Sequence, residues 1–205
     1  MAVFSGRHID CIRGERQVLS AAAFSLESGG ALMLRGINGA GKSTMLRLMA
    51  GLMRPVSGVI TWDGVDISDD PQEHNARLAY VGHADAVKPA LSVLENVTFW
   101  SKLAGAGGMD ASDALAALGI GHLTDLPARY LSAGQRRRVN LTRALTSGAE
   151  LWLLDEPTTA LDAATAEALT SLIERHLKSG GMAVVSTHAE LGLAETGTLT
   201  LGGTA

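Results

Sequence analysis

The chain has 205 residues, 46% hydrophobic and 19% charged, a length for one domain or one domain with a subdomain and a composition that excludes a disordered chain or a disulfide-stapled mini-protein. The longest stretches free of Asp, Glu, Lys and Arg cover 11 residues each, 114–124 and 179–189, about half of what a membrane-spanning helix needs. The net charge of −4, with no long basic or acidic tail, points to neither nucleic acid nor an anionic membrane surface.

A single cysteine, Cys11, cannot form an internal disulfide and reads as a small half-buried apolar residue. The N-terminus carries Arg7 and Asp10 in place of an export signal, so the expected setting is the reducing cytoplasm. Glycine, at 24 residues, is the one excess over the usual ~7%.

Apolar runs at 3–12, 18–26 and 31–34 are separated by Gly14-Glu15-Arg16 and Ser28-Gly29-Gly30, which predicts strands joined by turns. Residues 42–53 are apolar on most faces and stop at Arg54-Pro55; they predict a helix buried against a sheet, with Met45, Met49 and Met53 as core filler. Short strands follow at 59–62 and 78–81.

Ser92 and Glu95 have capping-box spacing and open a helix reaching about residue 104. After a glycine-rich joint at 105–108, helices are predicted at 110–118 and 133–146. Residues 84–148 therefore read as a helical subdomain inserted into a core of 1–83 and 149–205, the whole chain 1–205 being one domain.

An apolar strand at 151–154 restarts the β/α pattern. Ala166, Leu169, Ile173 and Leu177 then recur at i, i+3, i+7 and i+11, which marks an amphipathic helix. Strands at 182–186 and 198–201 close the series. The predicted class is α/β: N-terminal antiparallel strands, then a mostly parallel sheet covered on both faces, whose ligands bind at the carboxyl ends of its strands.

One such end carries a phosphate motif. Residues Gly36 to Thr44 read GINGAGKST, a full match to G-x-x-x-x-G-K-[ST] after a predicted strand and before a predicted helix. In such a loop the backbone from Gly36, Ile37 and Asn38 through Gly39, Ala40 and Gly41 turns its amides around phosphate oxygens, and the helix adds its positive end. Lys42 reaches the β- and γ-phosphates, the Ser43 hydroxyl ligates Mg²⁺, and Thr44 completes the motif. The loop alone implies a nucleotide with Mg²⁺.

The strand at 151–154 delivers Asp155-Glu156 beside that loop. Asp155 there holds the metal from its second shell, and Glu156 serves as general base for water. Residues 131–135 read LSAGQ. Ser132 is either a helix N-cap with Gly134 easing the turn, or part of an anion-binding loop at a helix N-terminus.

With LSAGQ lying between the phosphate loop and the Asp-Glu strand, the chain resembles the ABC-type ATPases over nearly its whole length. The resemblance implies a P-loop NTPase core and a head-to-tail homodimer on ATP, in which Ser132, Gly134 and Gln135 cap the γ-phosphate held by the opposing copy. It also implies that Thr159-Ala160-Leu161-Asp162 forms the loop after the catalytic glutamate, with Asp162 near the nucleotide. His188, closing Ser186-Thr187-His188, becomes the γ-phosphate histidine. The catalytic set is then Glu156, His188 and Lys42.

Two positions depart from the family. Gly82-His83 stands where most members carry a metal-touching glutamine, so His83 reads as a metal contact or as a hinge-region surface residue. Arg13 stands where an aromatic ring stacks on adenine; a guanidinium plane can stack too, or Arg13 is simply a turn residue. These departures resemble the branch that supplies ATP-binding subunits to the haem-handling cytochrome c maturation system. That branch implies integral membrane partners and a peripheral place at the cytoplasmic face of the bacterial inner membrane.

Arg136, Arg137 and Arg138 point in different directions from a helix and are expected to form a solvated or dimer-facing surface, not a nucleic-acid site. The leading expectation is a Mg²⁺-dependent ATPase that couples dimer closure to membrane subunits. The rivals are an ATP-binding regulatory module with little hydrolysis, or the ATPase of a different ABC importer or exporter.

Overall fold

A computed structural model describes residues 2–188, 191–193 and 196–202. The antiparallel part comprises β1 (Val3–Arg13), β2 (Arg16–Glu27), β4 (Ser57–Trp62) and β5 (Val65–Asp66), in the spatial order β2-β1-β4-β5. The parallel part comprises β3 (Ala31–Arg35), β6 (Leu78–Val81), β7 (Leu151–Asp155), β8 (Met182–Ser186) and β9 (Thr196–Thr200), in the order β6-β7-β8-β3-β9. Sequence neighbours β6 and β7 pair although about seventy residues separate them, and helices fill that gap.

The strand period of two divides the core. Leu32, Leu34, Leu151, Leu153, Met182 and Val184 face one side, where they meet α1 (Lys42–Met49) and the antiparallel sheet around Phe4, Ile60 and Trp62. Their alternates Ala31, Met33, Trp152, Leu154, Ala183 and Val185 face the other side. There they pack with α3 (Val93–Leu103), α4 (Ala111–Ala117), α5 (Ala133–Ser147) and α6 (Ala163–Lys178). Being buried on both faces explains why β3, β7 and β8 read as unbroken apolar runs and not as alternating ones.

The predicted helix over 42–53 stops at Met49. Gly51 adopts φ 68°, its amide donates to Leu48 O at 3.0 Å and that of Leu52 to Arg47 O at 2.9 Å. This pair of bonds closes the helix end through a left-handed glycine and leaves Leu52 exposed.

A short helix absent from the sequence reading, α2 (Pro71–Ala76), begins where Asp70 accepts the Gln72 and Glu73 amides and proline takes the first turn. Ser92 and Glu95 do form the capping box. Cys11 is fully buried, deeper than its expected half-buried place. Among the described residues no helix is long and apolar enough to cross a membrane.

Candidate active site

The order β6-β7-β8-β3 lines up four carboxyl ends that are far apart in sequence: Gly82-His83, Asp155-Glu156, Thr187-His188 and the loop 36–41. They border an open cleft of about 600 Å³. Arg13, Asn38, Gly39, Ala40, Gly41, Lys42, Ser43, Thr44, His83, Glu156 and His188 all line it, together with Val18 and Thr159.

The loop is built for close backbone approach. Gly36 has φ 145°, and a Cβ there would sit 2.4 Å from Leu201 O; at Gly41, φ 100°, a Cβ would come 2.9 Å from the Val18 side chain. Gly39, at φ 81°, faces open space. Gly41 is also the N-cap of α1 and offers no side-chain acceptor to the first-turn amides, which leaves them and the helix dipole available to an anion.

Lys42 is 7% exposed. Its ammonium donates to Gly36 O at 2.8 Å and to Ile37 O at 3.4 Å, so it braces the loop from within while Ile37 itself stands exposed. His188 Nε2 lies 3.0 Å from Lys42 Nζ, 2.9 Å from Asn38 Oδ1 and 3.5 Å from Glu156 Oε1. Lys42 Nζ and Glu156 Oε1 are 3.8 Å apart. One imidazole nitrogen cannot both accept from the ammonium and donate to the other two oxygens. His188 therefore chooses between two arrangements within a cluster of one cation and one carboxylate.

Behind the cleft, Asp155 is 1% exposed. Its Oδ1 accepts from Ser186 Oγ at 2.6 Å, a contact set by the Asp155–Ser186 register of β7 and β8, and its Oδ2 is buried without a hydrogen-bond partner among the described residues. An unpaired buried carboxylate oxygen calls for a cation or an ordered water. Glu156 sits at φ 48°, a left-handed conformation that costs a non-glycine residue about 1–2 kcal/mol. Neighbours hold it there, since its amide reaches both the carbonyl and the hydroxyl of Ser186 at 3.0 Å.

Ser132, Gly134, Gln135 and Asp162 lie elsewhere and are not among the residues lining this cleft. Ser132 and Gln135 make a reciprocal capping box at the exposed start of α5. At Gly134 a Cβ would meet Ala160 O at 2.7 Å, so this turn packs on the loop ending in Asp162. Asp162 caps α6 by accepting the Thr165 amide at 2.8 Å and pairs with Arg138. The Thr165 bond holds its carboxyl below the usual range, with help from Arg138.

The reading of 136–138 as a solvated or dimer-facing surface is wrong for Arg137. It is 4% exposed, and its guanidinium donates to the carbonyls of Gly82, Asp155 and Glu156. Three arginines in a row hide the fact that one of every few positions on α5 faces the sheet. Ser186 also belongs to the site; its one signal in the sequence is a polar residue closing an apolar strand, and the structure buries it against Asp155.

The ABC transporter family matches residues 19–159 of this chain. The chain belongs to that family. Among its curated relatives, the cytochrome c biogenesis ATP-binding export protein CcmA of Rhodospirillum rubrum is 52% identical, across 94% of this chain and 82% of the relative. The protein of the same name from Bradyrhizobium diazoefficiens is 46% identical across 98% of each.

ABC structures agree in fold. A putative ABC transporter ATP-binding protein from Pyrococcus furiosus superposes with a TM-score of 0.83 at 25% identity, covering 97% of both chains. A dimeric ATP-binding cassette in a post-hydrolysis state, bound to ADP and Pi, gives 0.80 at 26%, covering 91% of this chain and 88% of the other. Family membership makes ATP the nucleotide and hydrolysis the reaction, which suits a cradle ending in an uncapped helix and a buried lysine. Among the described residues no group of three or more His, Cys, Asp or Glu forms a metal cluster. The lone Asp155 with its free oxygen suits Mg²⁺, which takes one or two carboxylates and completes its shell with phosphates and water.

Proposed function

We propose that this chain is the ATP-hydrolysing subunit of the cytochrome c maturation, haem-handling export system, acting as a peripheral protein at the cytoplasmic face of the bacterial inner membrane. The observation that carries the reading is the convergence of Lys42, Glu156 and His188 on one point above the phosphate loop. The CcmA names of relatives at 46–52% identity support the particular system.

Lys42 and the loop amides hold the β- and γ-phosphates, and Ser43 with Asp155 would hold Mg²⁺, which when bound neutralises charge on the transferred group. Glu156 takes the proton of a water whose oxygen attacks the γ-phosphorus as the bond to the β-phosphate oxygen breaks, releasing ADP and phosphate. His188 orients the γ-phosphate from the far side. His83, which lines the cleft, would serve the metal site, and Arg13, on the same lining, would stack on the base.

Ser132, Gly134 and Gln135 are not among the residues lining their own cleft and serve the cleft of a second copy, so closure on ATP makes the homodimer; Asp162 supports that junction. The segment 84–148 acts as a helical arm on the core of 1–83 and 149–205. Its partners are the integral membrane subunits of the same system. Catalysis comes from positioning and electrostatic preorganisation.

Phosphate release by the purified chain tests this. The native protein turns over, Glu156→Gln binds ATP and stays dimeric without turnover, and Lys42→Ala fails to bind ATP. Equal turnover in the native and Glu156→Gln proteins removes the role given to Glu156. Recovery of ribosomes or DNA, with no membrane subunit, from detergent-solubilised cells refutes the transporter assignment.

A further inference from the structure

Arg137 comes from the first turns of α5, yet it ends buried against the carboxyl ends of β6 and β7, 4% exposed. Nη1 donates to Gly82 O at 2.8 Å and lies 3.4 Å from Asp85 Oδ1. Nη2 donates to the carbonyls of Asp155 and, at 3.0 Å, Glu156. All four terminal N–H bonds of the guanidinium are thereby used, two toward the loop after β6 and two toward the end of β7. The loop side is fastened to α5 again: Asn140, one turn along, donates to Asp85 Oδ1 at 3.3 Å and accepts the Ala86 amide at 3.3 Å.

We propose that Arg137 is a positioning residue that locks the strained Glu156 backbone to the loop carrying His83 and to the helix that begins at Ser132. The inference rests on the ATPase reading for its catalytic consequence. Glu156 keeps φ 48° only because its surroundings over-determine it. On the amide side the restraint is Ser186; on the carbonyl side it is Arg137 together with the Thr159 amide at 3.2 Å.

Because α5 also carries the Ser132–Gln135 turn, a rotation of α5 against the sheet moves the Glu156 carboxylate and the loop 82–86 together. The helix that receives the second copy is thus mechanically tied to the residue that orients water. A lysine cannot replace this, since its donors radiate from one atom, and a glutamine has two donors where four are used.

Arg137→Gln, Arg137→Lys and Asp85→Asn, each purified as the full chain, test the proposal by ATP turnover and by amide hydrogen exchange. In Arg137→Gln, kcat falls at least about tenfold, as the loss of hydrogen bonds from a charged donor implies, while KM for ATP stays within about twofold. Arg137→Lys recovers part of the rate, and Asp85→Asn stays within about threefold of the native protein because the carbonyl bonds remain.

The Glu156 and Ala86 amides, one on each side of the lock, exchange faster together in Arg137→Gln, while amides of 141–145 in α5 exchange as in the native protein. A KM that rises in step with the fall in kcat overturns the positioning role, as does acceleration at one site without the other. Should the native chain show no turnover, the ATPase reading fails, and the paired exchange measurement still decides whether Arg137 forms the lock. If Arg137→Gln does not fold, the same comparison is made on Arg137→Lys.

Discussion

Replacing Ser186 with alanine isolates the support beneath the strand end. The hydroxyl donates to Asp155 Oδ1 at 2.6 Å and accepts from the Glu156 amide at 3.0 Å. The Glu156 amide keeps the Ser186 carbonyl, also at 3.0 Å, so its loss is small. Asp155 has no such reserve: among the described residues its other oxygen is buried without a partner, and the variant leaves the carboxylate, 1% exposed, without a side-chain donor.

Losing a hydrogen bond to a buried charged group costs about 2 kcal/mol, within the usual ~1–3. For a chain of this length each kcal/mol moves the midpoint by about 2–4 °C, so Ser186→Ala should melt about 4–8 °C below the native protein. Ser186→Cys, similar in shape and a weaker donor, should fall between them. Thermal unfolding followed by circular dichroism near neutral pH, without nucleotide, measures this. A midpoint within about 1 °C of native for Ser186→Ala would show that the hydroxyl does not support Asp155, and would refute the reasoning.

Gly36→Ala should be destabilised by more than about 2 kcal/mol in urea titration, since both the positive φ and Leu201 O oppose a Cβ, whereas Gly39→Ala meets only the backbone cost of about 1–2 kcal/mol. His74 and His176 are held below the ordinary imidazole pKa by burial. The unfolded chain then binds protons that the native one refuses, so stability should fall as pH drops below about 6.5. His176 stacks on Trp152 with centroids 4.0 Å apart; His176→Phe keeps the stack, and urea midpoints across that range should show a shallower decline, a slope unchanged from native counting against the assignment.

The phosphate loop, the Asp-Glu strand end and the strand-end histidine were legible in the sequence because each is a local pattern: glycines before a lysine, or charge closing an apolar run. The strand order was not, since β8 between β3 and β7 follows from packing among segments far apart in the chain. Arg137 escaped for a related reason. A cation in a basic run reads as solvated unless one knows that three carbonyls wait across the sheet, and carbonyls leave no mark in a sequence. The end of α1 escaped because Leu52 and Met53 continue the apolar pattern past Gly51, and the left-handed glycine outweighed it.

The place of β3 bears on how the protein is made. Its two neighbours, β8 and β9, lie about 150 residues further along the chain, so the phosphate loop emerges attached to a strand with both edges bare. Until residues 182–186 arrive, Leu32, Met33 and Leu34 have no sheet to join. The nascent chain must carry an adhesive segment until β8 and β9 have been made, and it can bind nucleotide productively only after that.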